Sequence, residues 1–414
     1  MNVLLVGFNK SWAEALERED VNVFVIEERD IWVKKNLSVK NYTNIKDVAF
    51  FEYQQKTNFE QLISYANSKD INVVIPGLEY SVLAATTIAS NLRLPNIGLK
   101  AAKILTNKFL LRSSLKKTHI PQPRYQKISS LDDIKNFYKT PIVIKPINRQ
   151  ASAGVVKVYH YDDIEWAWRE SQKADEGIHV VDRELSWEYM VEELLEGQEI
   201  STEVLVHEGE IEFFNITVKQ TADGNFPVEL GHYVPGTDIP NTVQKRLHTY
   251  IKMLIEAIEV ETGILHAEWI IVEDTPYIIE CAGRAPGDLI FTMVRESYNF
   301  CPYKATLNLL ANNKPDINNI PSNGAGIAYL YSYKSGILES INGIEKLKKG
   351  VDDVLDFALF INTGDKINEL KSSWDRIGFV LCKGIDGVTA FRKAKEKVNE
   401  LQIKIVQEMN LHES

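Results

Sequence analysis

Two short apolar runs near the two-thirds point of the chain each carry a carboxylate where a plain strand would carry an aliphatic side chain. They read Ile264-Leu265-His266-Ala267-Glu268-Trp269-Ile270-Ile271 and Pro276-Tyr277-Ile278-Ile279-Glu280-Cys281-Ala282, and a short Glu-Asp-Thr turn joins them. An ionised carboxylate inside a sheet is costly unless something positive compensates it. Two on adjacent antiparallel strands, with Arg284 four residues past the second, point to a hard divalent cation. Mg²⁺ held together with a nucleotide is the commonest guest of that kind, which makes Glu268 and Glu280 the candidate metal ligands. Arg284, followed by Ala285-Pro286-Gly287-Asp288, can form two-pronged hydrogen bonds to a carboxylate or a phosphate. The bland alternative is a buried Glu–Arg ion pair, but such a pair requires neither a second acidic strand nor the glycine turn.

Other residues fit phosphate and nucleoside chemistry more loosely. Lys145 ends the apolar run Val143-Ile144-Lys145-Pro146 and precedes a loop of small residues at 148–154. Small side chains let backbone N–H groups approach phosphate oxygens, and Ser152 can donate as well. No Gly-Lys-Ser/Thr closes this loop, so it is not a P-loop. The alternative for Lys145 is a surface lysine on a hairpin. Lys108 sits on a helical stretch whose other face is apolar, where most lysines are simply solvated. Glu192-Glu193-Leu194-Leu195 joins two apolar runs; an extended segment there could read the edge of adenine with its backbone while its apolar side chains pack the ring. Glu199 could bond ribose hydroxyls, the alternative being an exposed acidic hinge. His232, in Glu229-Leu230-Gly231-His232-Tyr233-Val234-Pro235-Gly236, reads as part of a Gly/Pro-flanked turn after a strand; a lone His is more often structural, but this setting favours an imidazole that touches phosphate or a developing anion.

The elements that must position these residues follow from periodicity. Residues 1–100 alternate strands (2–6, 21–26, 71–76) with helices (12–18, 83–92), which implies a parallel sheet with crossovers. Ligands of such sheets lie beyond the carboxyl ends of strands, where Gly7 and the turn Gly77-Leu78-Glu79-Tyr80-Ser81 fall. Gly7 alone is an ordinary turn, whereas Glu79 and Ser81 lean towards a substrate. Residues 101–120 read as helix, stopped by Pro121-Gln122-Pro123. Strands at 141–146 and 155–159 form an antiparallel hairpin with a long tip, and 175–186 is polar and irregular. Strands at 199–206 and 211–219 precede a helix at 242–262 and the acidic pair. A Pro/Asn/Ser-rich linker at 315–324 leads to strands at 328–333, 354–361 and 376–383, then an amphipathic helix at 387–409. That last part reads as a small α+β appendage with enough chain for a core.

Composition narrows the class. The chain has 414 residues, room for two to four domains, and its 44% hydrophobic and 25% charged residues are those of an ordinary soluble protein. A formal charge of −10 argues against a nucleic-acid partner, so any anionic ligand must meet a local positive site. Cys281, Cys301 and Cys382 are too scattered for a disulfide framework or a zinc cluster. No signal peptide and no membrane span is recognisable, and the expected location is the cytoplasm.

The order of the pieces carries a resemblance. A lysine on a helix, Ile144-Lys145-Pro146 before a small-residue loop, Val191-Glu192-Glu193-Leu194-Leu195-Glu196-Gly197-Gln198-Glu199 and then two Glu-bearing strands resemble the ATP-grasp superfamily over roughly residues 1–320. Leu230-Gly231-His232 and Glu280-Cys281-Ala282-Gly283-Arg284-Ala285-Pro286-Gly287-Asp288 are similar to the bacterial L-amino-acid ligases, which make dipeptides. The resemblance implies an α/β and α+β multidomain ATP-grasp fold: an N-terminal parallel α/β domain (1–100), an ATP-grasp domain (101–320) with a lid subdomain at about 121–195 and a central antiparallel sheet, and a C-terminal α+β domain (321–414). It implies that Lys108, Lys145 and Ser152 contact ATP phosphates, that Glu192, Glu193, Leu195 and Glu199 hold the adenosine, and that Glu268 and Glu280 hold Mg²⁺, with Mn²⁺ as a substitute. His232 and Arg284 would stabilise an acyl phosphate and a tetrahedral intermediate. The partners implied are two amino-acid substrates, with no nucleic acid and no membrane, and a homodimer is compatible. Glu79 and Asp288 are candidates to line an acidic pocket selecting a basic amino acid. Two departures stand out: many family members have Asn where this chain has Ala282, and the loop is poorer in Gly than usual. Another ATP-grasp ligase or carboxylase of the purine-pathway type, or a non-catalytic ATP-binding protein, would share most of these features.

Overall fold

The computed structural model describes residues 1–351 and 353–406. Four strands, β1 (Asn2–Val6), β2 (Asn22–Glu27), β3 (Ile45–Phe50) and β4 (Val73–Pro76), make a parallel sheet in the order β3-β2-β1-β4. The chain winds one way from β1 to β3, then crosses to the other side of β1, so the strand order reverses between β1 and β4. That is where doubly wound sheets leave a crevice. Gly7 and Gly77 follow those two strands, and a Cβ on Gly77 would lie 1.9 Å from the Gly7 carbonyl oxygen. Only glycine allows the two strand ends to come this close.

The stretch 101–120 is not one helix. Leu99–Leu105 ends, and Lys108–Leu115 begins behind Asn107, whose side chain accepts from the Leu110 N–H at 2.9 Å. The cap restarts the helix and places Lys108 on its first turn.

A second four-stranded sheet follows, from β5 (Tyr125–Ile128), β6 (Ile142–Pro146), β7 (Val156–Val158) and β8 (Tyr189–Glu193), in the order β5-β8-β6-β7. β6 and β7 are antiparallel, so the 148–154 loop is the tip of a hairpin as expected. The irregular 175–186 segment contains one short helical turn, Gly177–His179.

The main sheet has eight strands. It begins with β9 (Gln198–His207), β10 (Glu210–Thr221), β11 (Glu229–Val234), β12 (Gly263–Val272) and β13 (Thr275–Ala282). The rest of the chain supplies β14 (Gly324–Leu330), β15 (Gly336–Asn342), β16 (Val354–Leu359), β17 (Lys366–Ile367), β18 (Gly378–Gly384) and β19 (Gln402–Val406). The order is β13-β12-β9-β10-β11-β14-β18-β16, while β17, β15 and β19 form a separate small sheet. The expected C-terminal appendage therefore continues the main sheet, with β14 on β11 from Gly231–Ala328 to Val234–Ala325. Its helix also differs from the expectation. It stops at Asn399, and 402–406 is strand; the far end of the expected helix, Met409, lies outside the described residues.

The helix Asn241–Ile258 repeats Val243, Leu247, Ile251, Leu254, Ile255 and Ile258 on one face and buries them under β9, β10, β12 and β13. A second core joins β1 and β4 to the helices Ile290–Tyr298 and Pro302–Leu310 and to Ile327 and Leu381 of the main sheet. Among the described residues no helix is long and apolar enough to cross a membrane.

Candidate active site

A cleft of about 620 Å³ opens between the hairpin sheet, the main sheet and the β1/β4 crevice. This is the size range of nucleotide and cofactor sites. Lys108, Lys145, Ser152, Glu192, Glu193, Leu195, Glu199, Glu268, Glu280 and Arg284 all line it. Of the residues singled out from the sequence, His232 and Ser81 do not: the Ser81 hydroxyl is buried and bonds the Leu78 backbone instead.

Glu268 and Glu280 face one another across β12 and β13. The turn between these strands is Glu273-Asp274, both residues left-handed, and the register runs regularly from it until Trp269 pairs with Ile278 and Glu268 with Glu280. Ile279 is thus the extra residue of a β-bulge. Bulges re-aim side chains, and this one lets Ile279, Glu280 and Ala282 all line the cleft opposite His266, Glu268 and Ile270. The Ile279 carbonyl accepts from Nη2 of Arg112 at 2.6 Å.

Each of the two carboxylates meets a lysine. Lys108 Nζ lies 2.8 Å from Oε1 of Glu280 and donates to the Arg149 carbonyl at 2.6 Å. Lys219 Nζ lies 2.6 Å from Oε1 of Glu268, whose other neighbour is His266 Nε2 at 3.5 Å. Burial alone would raise the Glu268 carboxyl, but Lys219 and His266 outweigh it and hold it well below the usual carboxylate range. Both side chains keep about a quarter of their surface open to the cleft, 26% for Glu268 and 27% for Glu280. Among the described residues no three acidic, His or Cys groups converge as a complete cage. Mg²⁺ does not require one: it takes one or two carboxylates and fills the rest of its octahedron with phosphate oxygens and water. Two opposed, ionised, partly open carboxylates fit that demand. Ala282 puts a methyl group on the cleft wall, so the protein's share of such a shell would be the two glutamates.

Lys145 is 4% exposed and lies 2.6 Å from Glu192, which also takes Arg112 Nε at 2.7 Å. Burial would raise the Glu192 carboxyl, yet the two cations bring it below its ordinary value, while burial pulls the Lys145 ammonium down. The trio has one positive charge in excess, beside the cleft. Glu192 is therefore neither an exposed hinge nor a reader of adenine through its side chain; its carboxylate is spent on Lys145 and Arg112. Glu193, Leu194, Leu195 and Glu196 follow it along the cleft. In the small-residue loop, Ala151, Ser152 and Gly154 have φ of +56°, +58° and +77°, the kind of left-handed run that turns backbone N–H groups inward.

Lys219 stands among three carboxylates: Glu268, Glu229 at 3.3 Å and Glu199 at 3.9 Å. One ammonium cannot neutralise all three. Burial raises the Glu199 carboxyl to about 7, with Lys219 opposing and Glu268 and Glu229 adding to the rise. Glu229 goes the other way: burial would raise it, but Lys219 and His232 drive it below the usual range.

His232 corrects the sequence reading. It lies inside β11 rather than in a turn, is fully buried, and meets Glu229 through Nδ1 and the Asp288 carbonyl through Nε2, the latter at 3.0 Å. Alternation along β11 hides it under the cleft floor, so it acts on the site through its neighbours. Glu79 and Asp288, the candidates for an acidic pocket, both line the cleft, each with an arginine already on it. Glu79 accepts from Arg284 Nε at 2.7 Å, and Asp288 is forked by Arg376 at 2.7 and 3.2 Å. Arg112, Lys219, Arg376, Glu229, His266 and Trp374 were given no role from the sequence; a single charged residue in a helix or strand pattern reads as a solvated face.

Family models agree with this architecture. Residues 138–293 match the ATP-grasp domain. That segment is an ATP-grasp domain. Residues 328–406 match L-amino acid ligase C-terminal domain 2. Over 310 residues the chain is 22% identical to an L-arginine-specific L-amino acid ligase of Bacillus subtilis, covering 72% of each. It is 24% identical over 367 residues to a phosphoribosylamine–glycine ligase of Lactococcus lactis subsp. lactis, covering 83% of this chain and 84% of that one. The crystal structure of L-amino acid ligase from Bacillus licheniformis superposes with a TM-score of 0.81 at 20% identity, over 98% of this chain and 99% of the other. At that identity the likeness establishes the ATP-grasp fold.

Proposed function

We propose that this protein is an ATP-dependent carboxylate–amine ligase that joins two amino acids into a dipeptide and releases ADP and phosphate. One observation carries the reading: a single cleft gathers cations for phosphates, opposed carboxylates for a divalent ion and Arg284 for a substrate carboxylate. A substrate carboxylate oxygen attacks the γ-phosphorus, the bond to the β,γ-bridging oxygen breaks, and ADP departs. The amino group of the second substrate then attacks the acyl carbon, loses a proton, and the C–O bond to phosphate breaks. Mg²⁺, held by Glu268 and Glu280, would supply charge neutralisation along the phosphates.

The protein's own part is positioning and charge. Lys108 and Lys145 spread the phosphate charge. Glu193, Leu195 and Glu199 border the nucleoside. Arg284 orients the acid, while Glu229 and His232 hold the floor beneath. Ser152 and the loop around it close over the site, because an acyl phosphate open to water hydrolyses. The C-terminal domain match favours a second amino acid as the amine over the phosphoribosylamine named for the purine-pathway relative. Screening amino-acid pairs for ADP release, with product mass, tests the proposal. ADP release with ribosylamine substrates or bicarbonate instead would move the protein to the purine-pathway type, and ATP binding without turnover on any pair would refute catalysis.

A further inference from the structure

Beyond β13 the chain carries Arg284 and runs through Ala285-Pro286-Gly287 to Asp288 and Leu289. Asp288 and Leu289 both hold left-handed backbone angles, φ +55° and +61°. Residues with side chains rarely keep that conformation unless their surroundings hold it. Two contacts hold Asp288. From the floor, His232 Nε2 meets the Asp288 carbonyl at 3.0 Å. From the C-terminal part of the chain, Arg376 places Nη2 and Nη1 on the Asp288 carboxylate at 2.7 and 3.2 Å.

Arg376 is itself fixed. It is 7% exposed, its Nε donates to the Ser373 carbonyl at 2.9 Å, and its guanidinium lies 3.8 Å over the ring of Tyr329. Planar stacking and a two-pronged bond together are what arginine offers and lysine does not. Ser373, Trp374 and Arg376 line the same cleft as Arg284. Trp374 stacks on His179 at 3.4 Å, and the Ser373 N–H donates to the Ala151 carbonyl at 3.3 Å, so the 373–376 segment touches both the 175–186 segment and the 148–154 loop that borders the cleft.

We propose that Arg376 is a positioning residue for the acid-substrate end of the cleft: by clamping Asp288 it fixes the 284–289 loop so that Arg284 presents its guanidinium to the substrate, and it makes segment 373–376 a wall of the active site. The kinetic arm rests on the ligase reading above; the clamp itself does not.

The test uses the full chain with Arg376→Met, Arg376→Lys, Asp288→Asn and the Arg376→Met/Asp288→Asn double variant. Hydrogen exchange without substrates comes first. Peptides spanning 284–289 are expected to exchange at least tenfold faster in Arg376→Met, with those of β1 and β2 unchanged. Kinetics then separate a clamp from general damage. The KM for the carboxylate substrate is expected to rise ten- to a hundredfold while the KM for ATP stays within twofold, with Arg376→Lys in between and the double variant no worse than the worse single one. Asp288→Asn, whose side chain borders the cleft, keeps the test alive if Arg376→Met fails to fold. Unchanged loop exchange in Asp288→Asn or Arg376→Met overturns the proposal, as does an equal rise of both KM values. If the loop loosens but the unaltered protein shows no amino-acid-dependent ADP release, the clamp stands and the ligase reading falls.

Discussion

Lys108 is a cation placed against local preference. It occupies the first position of its helix, where the helix dipole disfavours positive charge by about 0.3–1 kcal/mol, and it is only 7% exposed. Residues that break a local rule at a cleft mark function more often than those that obey one. The Glu280 carboxylate at 2.8 Å compensates it, and phosphate oxygens could do the same. Glu280→Ala is expected to lower amino-acid-dependent ADP release at least a hundredfold; near-normal turnover would remove Glu280 from the metal site. Glu199 makes a different prediction. Its carboxyl is raised from 4.5 to about 7 by burial, so the native state holds a proton that the unfolded chain has released. The stabilisation from that proton is complete below about pH 4.5 and disappears as pH climbs through 7. Without nucleotide or metal, urea midpoints at pH 5 and 7.5 should fall more in the unaltered protein than in Glu199→Gln. Equal falls would show that Glu199 titrates as an exposed acid.

At the scale of elements, the bulge at Ile279 sets the face that carries Glu280, and Arg112 holds the bulge carbonyl. Its Nη2 takes the Ile279 carbonyl and its Nε takes Glu192, while the side chain is fully buried. Arg112→Met leaves Glu192 with Lys145 alone and the bulge carbonyl unpaired. Breaking a buried pair of this kind costs roughly 3–5 kcal/mol, so a fall of the thermal midpoint by several degrees and weakened nucleotide binding are expected together. A stable variant with unaltered binding would show that the bulge holds without it. The same elements show what sequence could convey. The acidic strands were legible because apolar residues flank each carboxylate, and three strands of the parallel N-terminal sheet because they are near-continuous aliphatic runs; β3 was not read, since Lys46 and Asp47 interrupt it. The bulge was not, since Ile278 and Ile279 are alike and no local signal says which is extra. His232 was misread because glycine and proline around it suggested a turn, yet Gly231 lies within the strand, where a Cβ would sit 2.4 Å from the Ile327 carbonyl oxygen. The 101–120 stretch was read as one helix because its apolar pattern runs across the Asn107 cap. Arg112 reaches Glu192 and Ile279, 80 and 167 residues away, Lys219 reaches Glu268, 49 away, and Arg376 reaches Asp288, 88 away, so the contacts that give them a role leave no local signal.

On the whole-molecule scale, a strap ties the hairpin sheet to the N-terminal sheet. The 176–187 segment leaves the hairpin sheet and lies across the carboxyl end of the N-terminal sheet. Arg183 forks on Glu28 at 2.8 and 2.9 Å and donates to the Gln54 carbonyl at 2.7 Å, Gln55 and Ser186 exchange two hydrogen bonds, and Tyr80 donates to Glu176 at 2.6 Å. Glu28 is 2% exposed, so Arg183 is what makes its burial tolerable. Hydrogen bonds to charged groups contribute about 1.5–3 kcal/mol each, enough to favour a closed strap without making it permanent. Arg183→Ala should therefore loosen the strap rather than unfold the protein, with faster hydrogen exchange at 176–187 and unchanged exchange in β9 and β12. If the closed strap keeps water from an acyl phosphate, ADP release in the presence of the first amino acid alone should rise severalfold relative to dipeptide formed, because the intermediate hydrolyses before the amine arrives. A looser strap with the same ratio of ADP to product would mean that water is excluded elsewhere, at the 148–154 loop, and would confine the strap to holding Glu28 and the N-terminal sheet in place.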